Sequence, residues 1–373
     1  MRAADHPQER RFVRITLDSV GGNLRTLLDQ HVKHAAERRE RAKWMGEVIA
    51  RRSRRKPAAM PPKGEPRIFI EVVCSDSRVV PPFNEPAEKV VVVTLPLAGE
   101  SIDEHFPYEQ VEEILPCIDG IVVQGHQDCG ACKASAKVEK ALASGQDHPY
   151  GASPALYALT ANVAADIESN VSIQMGRLRD RLGTRLKEFH VPIIGTMNHI
   201  FAGPREPVYS EIGSPLAEGF GDSAKAGDAI ASWRGLIARR NEASHEAAGP
   251  SQHPSVLWLT GLSLPELLRH GIGSENEWTG DPSKGLVFTV GWQHPEDPSA
   301  AGSALYILWH DCIRQIVFTA TKEGDLRRKM KCFADNPEID ALLKSRSEIQ
   351  LVGLLVGPLG VMDRKKLFLY QRS

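Results

Sequence analysis

Cysteine is scarce in this chain. Six among 373 residues are too few and too scattered for the disulfide framework of a small secreted domain. Aromatic residues make up only 6%, and 46 Lys and Arg against 47 Asp and Glu leave a net charge of −1. A balance that close gives the whole chain no attraction for nucleic acid or for an anionic membrane. No apolar run reaches the ~18 residues needed to span a bilayer. The longest, Leu351 to Val361, is broken by Gly353, Gly357, Pro358 and Gly360. The opening MRAADHPQER lacks the apolar core of a secretory leader and carries acids that transit peptides avoid. These absences predict a cytoplasmic address, with neither nucleic acid nor membrane as partner.

What remains is an ordinary globular composition, 42% apolar and 25% charged, in a chain long enough for two domains. Charge is uneven within it. Arg38 to Lys56 is strongly basic, a pattern that reads as a solvated helix face before it reads as an anion-binding one.

The chain repeats itself faintly. Trp44-Met45-Gly46 with Ala50-Arg51-Arg52 returns as Trp233-Arg234-Gly235 with Ala238-Arg239-Arg240, and Cys117-Ile118-Asp119-Gly120-Ile121-Val122 as Cys312-Ile313-Arg314-Gln315-Ile316-Val317. Four apolar runs stand in the same order in each half. They begin at Ile68, Lys89, Cys117 and Val191, and again at Val256, Gly285, Cys312 and Ile349. Short, continuous, Val- and Ile-rich runs are how strands of a parallel sheet covered on both faces read. Helical patterns intervene, such as Ala155 to Phe189 and Asp325 to Lys344. The prediction is therefore two tandem α/β domains, each a mainly parallel sheet flanked by helices. A helical N-terminal segment would occupy residues 1–60, the first domain 61–210, a Gly/Ser/Ala-rich linker 211–231 and the second domain 232–373.

The first-half strand ends carry the chemistry. One run finishes in Cys74-Ser75-Asp76-Ser77-Arg78, another in Gly125-His126-Gln127-Asp128-Cys129-Gly130-Ala131-Cys132 before a helical pattern. Ligands bind beyond the carboxyl ends of parallel strands, and the helix start near Cys129 favours a thiolate. Two thiolates and an imidazole, Cys74, His126 and Cys129, suit one Zn2+ and leave a fourth tetrahedral position for water. Two other readings stand beside this one. Cys132 as fourth ligand would close a Cys3His centre but leave Asp76 and Arg78 without a task. Cys129 and Cys132 as a redox pair would leave His126 and Cys74 unexplained. Cys117, Cys312 and Cys332 read as small buried hydrophobes.

Cys74-Ser75-Asp76-Ser77-Arg78, followed about fifty residues later by Gly125-His126-x-x-Cys129-Gly130, resembles the signature of the β-class carbonic anhydrases. The resemblance is clear over Ile68 to Val208 and weak beyond. It implies reversible hydration of CO2 to bicarbonate and a proton, with Cys74, His126 and Cys129 as ligands of a single zinc. Asp76 would orient the nucleophile and Arg78 would keep Asp76 ionised; in some members the aspartate instead closes onto the metal. The second half retains no ligand, with Gly261 or Leu262 opposite Cys74, Thr321 opposite His126 and Gly324 opposite Cys129. An active and a degenerate copy in one chain would form a pseudo-dimer. Two such chains would give a homo-oligomer like the family's tetramers, unless the N-terminal segment docks a larger assembly. Gln252-His253-Pro254 resembles a Gln-x-Pro element of plant-type members, which implies that Gln252 reaches the substrate. The family's Arg-Asn-x-Gly-Asn stretch is replaced by Thr94-Leu95-Pro96-Leu97-Ala98-Gly99-Glu100, which keeps only an Ala-Gly core. That departure leaves open a zinc hydrolase of CS2 or COS, or a non-catalytic zinc scaffold that senses bicarbonate.

Overall fold

The computed structural model describes residues 11–20, 24–25, 28–29, 33, 35–57, 59–74, 90–200, 207–216, 223–247, 256–270, 287–291, 298–308, 313–357 and 362–371. Asp76, Arg78, Gln252 and Cys312 lie outside them.

Ahead of helix α1 (Ala35–Arg52), the N-terminal segment holds a strand, β1 (Arg11–Ile15). The segment expected to be helical therefore begins as RFVRI, a short run that pairs antiparallel with the last strand of the chain. The first sheet comprises β2 (Arg67–Val73), β3 (Val90–Pro96), β4 (Gly120–His126), β5 (Ile193–Asn198) and β6 (Tyr209–Leu216), in the order β3-β2-β4-β5-β6. The first four are mutually parallel and β6 is antiparallel. Their crossovers carry α2 (Tyr108–Ile114), α3 (Gly130–Ala143), α4 (Pro154–Asn162) and α5 (Ile167–Phe189). The long helical pattern from Ala155 splits in two because Asp166 caps a new helix, its carboxylate accepting from Ser169 N at 2.8 Å.

After β6 comes α6 (Ala224–Ala247). Residues 211–231, expected to link two domains, thus include most of β6 and the first turns of this helix. The second sheet comprises β7 (Val256–Thr260), β8 (Val287–Gly291), β9 (Gln315–Ala320), β10 (Gln350–Val356) and β11 (Met362–Gln371), ordered β8-β7-β9-β10-β11 with β1 at the far edge. Its helices are α7 (Leu264–His270), α8 (Pro298–Leu308), α9 (Glu323–Asp335) and α10 (Pro337–Ser345). Asn336 and Pro337 divide the last two: the Asn336 amide oxygen accepts from Glu338 N and Ile339 N, and proline fits the first helical position.

The fold is thus mixed α/β, two largely parallel sheets flanked by helices. The first sheet lies between α5 and α6. Val171 and Met175 of α5 pack against Gly125 and Gly195. On the opposite face Trp233 of α6 meets Phe69, Val122 and Ile194. Glu71, in the middle of β2, is fully buried there and pairs with Arg240 of α6 at 3.1 Å. The main core is continuous across the chain, taking Val91 and Val93 from the first sheet and Trp258 and Val317 from the second. Among the described residues, no helix is long and apolar enough to cross a membrane.

Candidate metal centre

Three strand ends meet above the first sheet. β2 delivers Cys74, β4 ends in His126, and Cys129 caps the N-terminus of α3. A fourth residue joins them: Glu100, from the tight turn that follows β3. One ligand atom from each of Cys74, Glu100, His126 and Cys129 lies within 4.8 Å of the other three, and all four residues are buried.

The geometry suits a tetrahedral ion. Cys74 Sγ and Cys129 Sγ are 3.8 Å apart, and two sulfurs each about 2.3 Å from a tetrahedral zinc would also be separated by about 3.8 Å. His126 Nδ1 donates to the Gln127 carbonyl at 2.9 Å. That bond fixes the tautomer and leaves Nε2 as the metal-facing nitrogen. Gly99 N donates to Cys74 Sγ at 3.3 Å, a contact that favours the thiolate. Zinc thus fits the donor set, with Cys74, His126 and Cys129 as the residues that would hold it.

Cys132 stands outside this group. It lies beside Cys129 in the same buried cluster, and its proximity, followed by that of Cys74, holds the Cys129 thiol well below its ordinary range. Giving up its proton is correspondingly hard for Cys132, whose thiol the neighbouring Cys129 and burial push up. The closed Cys3His arrangement is therefore not the one found among the described residues; the fourth candidate ligand is a carboxylate. Cys117 behaves as the sequence predicts, a buried thiol that burial pushes up to about 11.

Sequence reading treated Glu100 only as part of a departure from a motif. A signal was there: like the other two clusters, it follows the carboxyl end of a parallel strand. Its turn is demanding. Gly99 has φ 61° and Glu100 φ 52°, and a left-handed non-glycine residue costs about 1–2 kcal/mol. A Cβ on Gly99 would stand 2.8 Å from Ala131 Cβ and 2.9 Å from Val163, so only glycine fits. The turn is anchored from α5, where Asn170 Nδ2 donates to Gly99 O at 2.7 Å and to Glu100 Oε2 at 3.0 Å.

The second half supplies a wall. Tyr306 of α8 packs into the cluster of Cys74, Ala98, Cys129 and Cys132, its ring against Gly130 at the start of α3. Sequence reading missed this residue as well. At the corresponding ends of the second sheet the chemistry differs. β2 and β4 pair Phe69 with Gly120, and β7 and β9 pair Val256 with Gln315, which sets Gly261 where Cys74 stands. There Lys329 Nζ donates to Gly261 O at 2.8 Å, and Thr321 donates to Glu266 at 2.9 Å. Among the described residues, only the first half gathers a group that could hold a metal.

No family model matches this chain, and no curated protein does. One solved structure with some likeness comes from work on two tetrameric β-carbonic anhydrases of the filamentous ascomycete Sordaria macrospora. Identity to it is 15% and the TM-score 0.27, over 41% of this chain and 84% of that one. The likeness is too slight to place the chain in a family.

Proposed function

We propose that this chain is a zinc enzyme that hydrates CO2 reversibly to bicarbonate and a proton. The observation that carries this reading is the convergence of Cys74, His126, Cys129 and Glu100 in one buried group. The Cys-x-Asp-x-Arg sequence beginning at Cys74 adds to it. Zinc in such a set supplies Lewis acidity that makes water nucleophilic near neutral pH.

The protein's own residues do the rest. Gly99 N–H stabilises the Cys74 thiolate, and the Gln127 carbonyl aims the imidazole. Tyr306 closes one side against bulk water. Asp76 is the carboxylate that orients the nucleophile, Arg78 keeps it charged, and Gln252 contacts the substrate. The matching strand orders of the two sheets support a tandem duplication with a degenerate second copy: a zinc domain at 61–210, a copy without ligands at 232–373, and one zinc per chain. Oligomerisation of such pseudo-dimers and a cytoplasmic address belong to the same proposal.

A second reading is favoured by one observation. With Glu100 in the group, four protein ligands are available, the number a structural zinc site uses. Stopped-flow CO2 hydration with metal quantification separates the two. One zinc per chain with turnover is expected, both abolished in Cys74→Ser and His126→Asn. One zinc without hydration would sink the catalytic reading.

A further inference from the structure

We infer that Glu100 is the fourth ligand of the metal centre and that Asn170 is the positioning residue that aims it. This rests on the zinc reading above, but not on CO2 being turned over.

Four atoms mutually within 4.8 Å all lie within about 3 Å of a common centre, less than an ångström from zinc's bonding distances of about 2.0–2.3 Å. Glu100 therefore stands at ligand range alongside the three residues named by the sequence. Its placement is also over-determined. The left-handed pair Gly99 and Glu100 turns the chain sharply after β3, and the Asn170 amide grips both members. That amide is itself fixed: its oxygen accepts from Ala164 N at 3.0 Å and from Gln174 Nε2 at 3.0 Å. Gln174 is held in turn, accepting from Ile102 N at 2.9 Å and from Arg177 at 3.1 Å. Asn170, Gln174 and Arg177 share one face of α5, spaced by four and three residues. A chain of bonds thus runs from that helix to one carboxylate.

Charge gives the arrangement its sense. Two thiol groups and a carboxyl buried this close together can all ionise only around a cation. With zinc among them the set carries a net charge of −1, which repels a second anion and leaves no open position. Removing the carboxylate charge makes the set neutral and opens a place for one. Hydration would then require Glu100 to withdraw, making it the group that gates the site.

Zinc K-edge absorption of the zinc-loaded full chain at pH 7, with and without excess sodium iodide, tests this directly. For the unaltered protein we expect two sulfur and two light scatterers and no iodine. Glu100→Gln should admit iodide, visible as a heavy scatterer, and raise the zinc dissociation constant by about tenfold or more in chelator competition. Asn170→Ala keeps the carboxylate but frees it, and should admit iodide partially; it also serves if Glu100→Gln fails to fold. Iodide entering the unaltered protein would overturn the inference, as would entry into Asp76→Asn but not Glu100→Gln. A full chain that retains no zinc would instead overturn the reading on which the inference rests.

Discussion

At the scale of single residues, the site divides by how local its signals are. Cys74, His126 and Cys129 were legible as candidates because ligand chemistry is written in residue type and short spacing. Cys132 was ambiguous for the same reason, since Cys-x-x-Cys reads equally as ligand pair or redox pair. It lies outside the group of four convergent ligand atoms and favours the thiolate of its neighbour Cys129, and a clear expectation follows. Cys132→Ala should keep one zinc per chain by elemental analysis, with affinity lowered about tenfold or less, the scale of one hydrogen bond. Zinc loss as complete as in Cys74→Ser would restore Cys132 as a ligand. Glu100 was not legible as a ligand, because a lone carboxylate in a turn has no spacing pattern; its meaning comes from neighbours 26 or more positions away.

Among elements, the eight apolar runs all became strands within a few residues of their expected bounds, because a strand buried on both faces must be apolar throughout. The strands read less well are β1, β6 and β11, at or near the antiparallel ends of the sheets, where the pattern is mixed with charge and turn residues. Several polar contacts tie α6 to the first half, two of them made by buried cations. Arg240 Nη1 lies 3.1 Å from Glu71 Oε1, with both side chains almost wholly buried. Arg240→Met would strand the Glu71 charge, and urea unfolding should show a loss of about 3–5 kcal/mol; the double variant with Glu71→Gln should recover much of it. Equal loss in both would mean that packing, not charge, is at stake.

Lys225, at the start of the same helix, donates to Phe189 O at 2.7 Å. Burial pulls its ammonium down to about 8 from 10.5, partly opposed by Asp119. Between those values the unfolded chain holds a proton that the folded one has released. Stability from this group therefore rises with pH from about 8 to 10.5, by about 3 kcal/mol at most. Lys225→Met should remove that rise, and an unchanged pH slope in thermal melts would refute the assignment.

For the whole molecule, the decisive contacts run between the halves. α4 and α8 approach so closely that a Cβ on Gly302 would stand 2.3 Å from Ala155 O. Around them Ala155, Ala300, Ala301 and Ala304 share a core with Leu156 and Leu305. Gly302→Ala must push two helix backbones apart, a change expected to cost about 1–3 kcal/mol in denaturant midpoint. It should also shift Tyr306, which lies one helical turn on, against the candidate metal centre. A variant with unaltered stability would mean that the two helices can separate freely.

The amino-acid sequence by itself determined the strands, the α/β class and the three soft or borderline candidate ligands, because burial periodicity and ligand chemistry are local properties. Only the tertiary structure decided that a carboxylate from a third strand end joins them, that Cys132 stays outside the group, and that Tyr306 of the other half packs against it. Those are facts of convergence. Residues far apart along the chain acquire a joint meaning only when sheet register and helix packing bring their atoms within bonding distance.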